Sequence, residues 1–230
     1  MIEFAVALAA FLAAHSIPAL PSVRGRLVAL LGRVPYLAAY SVLSLVLLAW
    51  LVDAARRADT VTLWEPARWQ WCVTLALMPF ALFFLTSGLF AANPLSVSLR
   101  SGAKPGAIVA ITRHPLIWGF LVWAVAHIPP NGDLVSVVLF GGLAAFSLAG
   151  LVLLDAKAKR RLGAERWRAM SQATSVVPFA ALLTGRATIG PARALVAAAV
   201  LAMAVYAWFL VQGHALLIGP DPLAMLRALD

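Results

Sequence analysis

Long apolar runs dominate this chain, separated by short segments rich in charge or in helix breakers. Six of them are long enough, or nearly so, to cross a hydrocarbon core about 30 Å thick. They cover 4–20, 36–52, 71–92, 107–128, 134–154 and 195–211, with the last open to extension as far as Ile218. The second and fifth contain no charged residue, whereas the fourth carries Arg113 and His114 in its first third. Within lipid every backbone N–H and C=O must be paired inside the segment, which leaves helix as the state of each run. No strand-like alternation supports a barrel. The pattern predicts an all-α, polytopic membrane protein with about six transmembrane helices, forming one domain over 1–230.

Composition and charge sharpen that expectation. Of the 230 residues, 63% are hydrophobic and 12% charged, and the mean hydropathy is +0.93, far from the balance of a soluble globule. The net charge of +9 would suggest nucleic acid in a soluble protein, but here the basic residues punctuate apolar runs. Fourteen of the 18 Lys and Arg lie in segments 21–35, 92–114 and 155–194. The positive-inside bias then predicts that those segments are cytoplasmic and that both termini lie outside. Segment 53–70 holds Asp53, Asp59 and Glu65 and is flanked by Trp50, Trp64, Trp69 and Trp71, as suits a membrane interface. The leader Met1-Ile2-Glu3 is acidic, so the first run is expected to stay as a helix rather than be removed as a signal. Breakers fall between runs, at Pro18 and Pro21, Asn93-Pro94, Pro129 to Gly132 and Gly190-Pro191. The single cysteine, Cys72, excludes an internal disulfide and a thiolate metal cluster.

Segment 155–190 is expected to be amphipathic and cytoplasmic. It opens with a charged continuation of the fifth run and closes with Val176 to Leu183, too short to cross. It is either a surface helix followed by an interfacial stretch, or a cap over a cavity between helices.

Ionisable residues within spans mark candidate sites, because burying them is costly. His15, His114, His127 and His214 all sit in or at the ends of apolar runs, and none lies in a charged loop. Neutral imidazole is a usual axial ligand of haem iron, and inward histidines of a helical bundle suit a b-type haem. Zinc would ask for more ligands at one depth. A lone histidine could equally do no more than hydrogen-bond a neighbouring helix. His114 and His127 are separated by 13 residues, about 20 Å along a helix, so they cannot share an iron. In straight helices, depth pairs His15 with His114.

Several stretches together resemble the NnrU family of bacterial polytopic membrane proteins, which is linked to nitrite and nitric oxide reduction. They are Thr112 to Gly119, Ala126-His127, Asn131 to Asp133, Asp155 to Lys157, Gly163 to Trp167 and Thr174 to Phe179, with His15 and Pro18 in the first run. The family is similar to the plant and cyanobacterial zeta-carotene cis–trans isomerases, which bind a b-type haem through two histidines. That resemblance implies haem b on His15 and His127, against the depth pairing, and kinks at Pro18 and Pro115 can shift depth. It also implies Arg113 or His114 at a propionate or a substrate, with Asp133 and Asp155 in support. The implied partners are membrane lipids and a lipophilic polyene or nitrogen-oxide-related substrate, with a reductase complex if the protein is an assembly factor. The implied location is a bacterial cytoplasmic membrane. A more distant likeness, to the isoprenylcysteine methyltransferases, rests on Arg113-His114-Pro115, Gly119, Gly163, Glu165, Trp167 and Pro178. It implies S-adenosylmethionine held by Arg113, His114 and Glu165. In this chain Ser175 stands where that family has an arginine, which would remove a clamp for a carboxylate.

Overall fold

The computed structural model describes every residue except Ser101, Ala103 and Asp230, and of Ala19 the backbone alone. Among the described residues the regular structure is helical, apart from one isolated bridge between Thr62 and Asp133. The helices are α1 (Ile2–Ser16), α2 (Pro21–Leu31), α3 (Arg33–Arg57), α4 (Arg68–Phe90), α5 (Ile108–Ile111), α6 (Pro115–His127), α7 (Leu134–Leu162), α8 (Ala164–Ser171), α9 (Ala180–Leu183), α10 (Arg193–Trp208), α11 (His214–Leu217) and α12 (Pro222–Arg227). Four are long and apolar enough to cross a membrane: α3, α4, α7, and α10 continued through a π-turn and α11 to Leu217. The α1–α2 pair makes a fifth if its two parts count as one span. This is a membrane protein.

Two of the predicted runs differ in detail. The first ends at Ser16, because Pro18 falls in a 3₁₀ turn over Ile17–Ala19 and Pro21 starts a new helix at its first position. Residues 21–31, part of a segment expected to be cytoplasmic, are helical. The fourth run, predicted as continuous over 107–128, is interrupted. The short α5 ends at Ile111, Thr112 is extended, and His114 has φ −123° and ψ 60° before α6 begins. Pro115 explains the break, since it disfavours α geometry at the preceding residue and has no N–H to continue a ladder. The α6 that remains has 13 residues.

The chain divides into two compact units, Met1–Glu65 with Gly132–Leu139, and Pro66–Asn131 with Phe140–Asp230. In the first unit, Phe4, Ala7, Leu51, Ala54 and Val135 form the buried core. Glu3 and Asp53 both pair with Arg57 at its surface. The N–H groups of Leu63 and Trp64 donate to the carbonyl of Gly132. A Cβ on Gly132 would run into the Trp64 carbonyl oxygen, so only glycine fits there. Asp133 then caps α7, accepting from the Ser136 N–H at 2.9 Å, the Ser136 hydroxyl at 2.6 Å and the Thr60 hydroxyl at 2.9 Å.

The second unit is built on α4, α6 and α10. Two glycines let α4 and α6 touch through backbone. A Cβ on Gly88 would meet the Leu116 nitrogen at 2.5 Å, and one on Gly119 would meet the Leu85 nitrogen at 2.8 Å and the Ala81 oxygen at 2.9 Å. The Thr74 hydroxyl donates across the same seam to the Ala126 carbonyl at 2.7 Å. On the other side of α4, the Thr86 hydroxyl donates to the Ala198 carbonyl at 3.1 Å, and the Tyr206 hydroxyl to that of Leu75 at 3.0 Å. Hydrogen bonds between neutral groups bind helices where lipid offers no hydrophobic drive.

Candidate functional site

The break between α5 and α6 creates a buried polar centre in the second unit. Thr112 and His114 are wholly buried and Arg113 is 7% exposed. Opening the helix leaves their backbone groups unpaired, and the segment after α8 supplies partners. The Arg113 N–H donates to the Ser175 carbonyl at 2.8 Å, and the Phe179 N–H to the Ile111 carbonyl at 2.8 Å. The hydroxyl of Thr174 donates to the Val109 carbonyl, that of Thr112 to the Val176 carbonyl, and the Trp118 indole N–H to Val176 as well. From the opposite side the Asn93 amide donates to the Arg113 carbonyl at 2.9 Å. Residues 174–179 thus form a strap laid over the break.

The side chains complete the centre. The Arg113 guanidinium donates to Asp155 Oδ2 and to the Ser171 carbonyl, and stands over the Trp167 ring at 5.4 Å. The charged continuation of α7 supplies Asp155. His114 Nε2 lies 3.0 Å from Asp155 Oδ1, and its Nδ1 lies 2.8 Å from the Ser96 hydroxyl. Both ring nitrogens of His114 are therefore engaged, so neither offers a lone pair to a metal in this arrangement.

His127 differs in kind. It ends α6, half-buried, and its Nδ1 is 2.7 Å from the carbonyl of Trp123, one turn back. Its ring stacks on Phe140 at 5.0 Å and tilts against Trp123 at 5.2 Å. In the first unit, His15 repeats the arrangement. Its Nδ1 is 2.7 Å from the Phe11 carbonyl, and its ring lies against Phe11 and Tyr40 at 4.2 and 5.9 Å. A carbonyl only accepts, so in both residues Nδ1 carries a proton, which in the neutral ring leaves the lone pair on Nε2. No partner of either Nε2 occurs among the described residues. A donor fixed in this tautomer by a backbone carbonyl suits ligation of haem iron through Nε2, as the outer hydrogen bond of metal-bound histidine does generally. His214 follows the π-turn Phe209–Gly213, and its Nδ1 contacts the Pro220 carbonyl at 2.8 Å. Among the described residues no group of three or more His, Cys, Asp or Glu could hold a bare metal ion.

Of the residues singled out in the sequence, the structure brings Arg113, His114 and Asp155 together. It sets His127 at the far end of α6, about 20 Å along the axis from His114 by helical rise. Ser96 and the strap carbonyls escaped sequence reasoning. Ser96 sits in an ordinary stretch after Asn93-Pro94, and backbone acceptors leave no trace in residue type. The hydroxyls of Thr174 and Ser175 were visible in the sequence, but not what they would bind.

The family model described as NnrU protein matches residues 3–222. The chloroplastic 15-cis-zeta-carotene isomerase of Arabidopsis thaliana is 36% identical over 110 residues, covering 46% of this chain and 29% of that protein. The Zea mays protein of the same name is 38% identical over 110 residues, with the same coverage. The matched stretch thus takes in less than a third of either relative. No solved structure matches.

Proposed function

From the premise that the chain belongs to the NnrU protein family, we propose that it is a membrane-embedded, isomerase-like protein acting on a lipophilic polyene. In this proposal His15 and His127 ligate the iron of a b-type haem in a bacterial cytoplasmic membrane. The observation that carries it is the shared state of the two histidines. Each ring is held by a carbonyl four residues upstream, lies against aromatic rings and keeps Nε2 without a partner among the described residues. Similarity to the 15-cis-zeta-carotene isomerases supports the substrate class.

The haem, when bound, would supply an iron whose redox state governs rotation about a polyene double bond. The protein's own part is binding and exclusion. Trp123, Phe140, Phe11 and Tyr40 offer apolar, polarisable faces beside the ligands. The apolar outer faces of α3, α4, α7 and α10 open the protein to a substrate dissolved in lipid. Arg113 and His114 act at a distance in this reading, the Arg113 N–H holding the strap and both side chains meeting Asp155 beside the start of α6. Their mutual engagement with Asp155 also leaves little to offer S-adenosylmethionine, and Glu165 lies exposed. The charge bias supports cytoplasmic placement of 92–114 and 155–194.

Single variants test the ligand assignment. His15→Ala and His127→Ala should each abolish or convert the low-spin spectrum of the purified protein, while His114→Gln should keep it. Unchanged spectra in both of the first two variants would refute the assignment.

A further inference from the structure

We propose that Ser96, His114 and Asp155 form a proton relay that makes Ser96 a nucleophile toward the carboxylic ester of a lipid. The order of donors and acceptors fixes its direction. Asp155 faces Arg113 in an ion pair, with side chains 22% and 9% exposed, and so is held as a carboxylate. A carboxylate only accepts, so His114 Nε2 carries a proton and donates it at 3.0 Å. Arg113 already supplies the cation that Asp155 needs, and the relay uses the wholly buried ring in its neutral form. Nδ1 therefore holds a lone pair, and the Ser96 hydroxyl at 2.8 Å must donate to it. Nucleophile, base and orienting carboxylate stand in the sequence of contacts that activates serine, recognised by geometry and not by position in the chain.

The surroundings of Ser96 suit such chemistry. The histidine is sealed, yet Ser96 itself is only half-buried. The N–H groups of Val97 and Ser98, which follow it, meet no acceptor among the described residues, and such groups can stabilise an oxyanion. Phe90, Val97 and Leu99 are 54%, 44% and 75% exposed nearby in the chain, which points to an amphipathic substrate at the membrane surface. In the reaction, Ser96 Oγ bonds to the ester carbonyl carbon as its proton passes to His114 Nδ1. The carbon–oxygen bond to the leaving alcohol then breaks, and His114 returns the proton to that oxygen. Water next attacks the acyl-serine by the same route, releasing the carboxylic acid and restoring Ser96. No electrons are exchanged, and the haem takes no part.

The test uses the purified full-length protein with an alkyl fluorophosphonate, read by peptide mass spectrometry. The expected result is a covalent adduct on Ser96, absent from Ser96→Ala and formed at least about a hundredfold more slowly in His114→Gln. A second measurement guards against a His114→Gln protein that fails to fold. In Ser96→Cys, the pH profile of iodoacetamide alkylation at position 96 is compared with that of the exposed Cys72 in the same molecule. A midpoint clearly below that of Cys72 supports the relay, because a neighbouring imidazole stabilises the thiolate. No adduct on Ser96 in the wild type, or equal midpoints at the two thiols, overturns it. Neither readout depends on haem.

Discussion

Arg113 shows what burial does to a single charged residue. With 7% of its surface exposed, its charge is tolerable only because Asp155, the Ser171 carbonyl and the Trp167 face surround it. Arg113→Ala should therefore lower unfolding stability by about 3–5 kcal/mol, since it leaves Asp155 without its cation. Chemical unfolding in mild detergent, against wild type, measures this. Asp133 makes a pH-dependent prediction outside the spans. Burial raises its pKa, but hydrogen bonds from Ser136, Thr60 and Val135 outweigh that and hold it below the ordinary carboxylate value. A group depressed in the folded state contributes stability above its unfolded pKa and loses it as pH falls through the folded one. Stability should thus fall at acid pH below about 4, and Asp133→Asn should flatten that limb. At this scale the sequence was informative about residue type, since an arginine, a histidine and an aspartate near apolar runs are conspicuous. It could not reveal that Ser96 and the strap carbonyls complete their shell.

Among the elements, α4 and α6 meet through glycine. Gly119→Ala should cost about 1–3 kcal/mol, because its Cβ would collide with the Leu85 nitrogen and the Ala81 carbonyl, which cannot swing away. Gly141 on α7 has nothing within 4 Å of such a Cβ, so Gly141→Ala should stabilise by about 0.5–1 kcal/mol. Thermal unfolding of the two variants should move in opposite directions. Helix positions were largely legible from hydropathy: 36–52, 71–92 and 134–154 correspond to the cores of α3, α4 and α7. The fourth run was not, although Pro115 carried the signal. Hydropathy averages over a window and does not register three opened residues. The strap over 174–179 was hidden for another reason, since its pairing reaches backbone acceptors across more than 60 residues of sequence.

For the whole molecule, length, hydropathy and charge pattern already dictated a helical membrane protein, because lipid leaves few ways to pair a backbone. Family membership was legible too, as its motifs lie on the strap, the break and the end of α6, where geometry constrains residue type most. The proposed haem is a different matter. His15 and His127 were nameable as a pair only by resemblance, and the tautomer that suits them to iron emerged from carbonyls one turn upstream. Absorption spectroscopy of the full chain, purified in mild detergent from haem-replete cells and recorded before and after dithionite, addresses this most directly. A Soret band at one haem per chain, with sharp α and β bands on reduction, is what two axial histidines predict. A featureless visible region in protein from replete cells would mean that His15 and His127 serve packing alone.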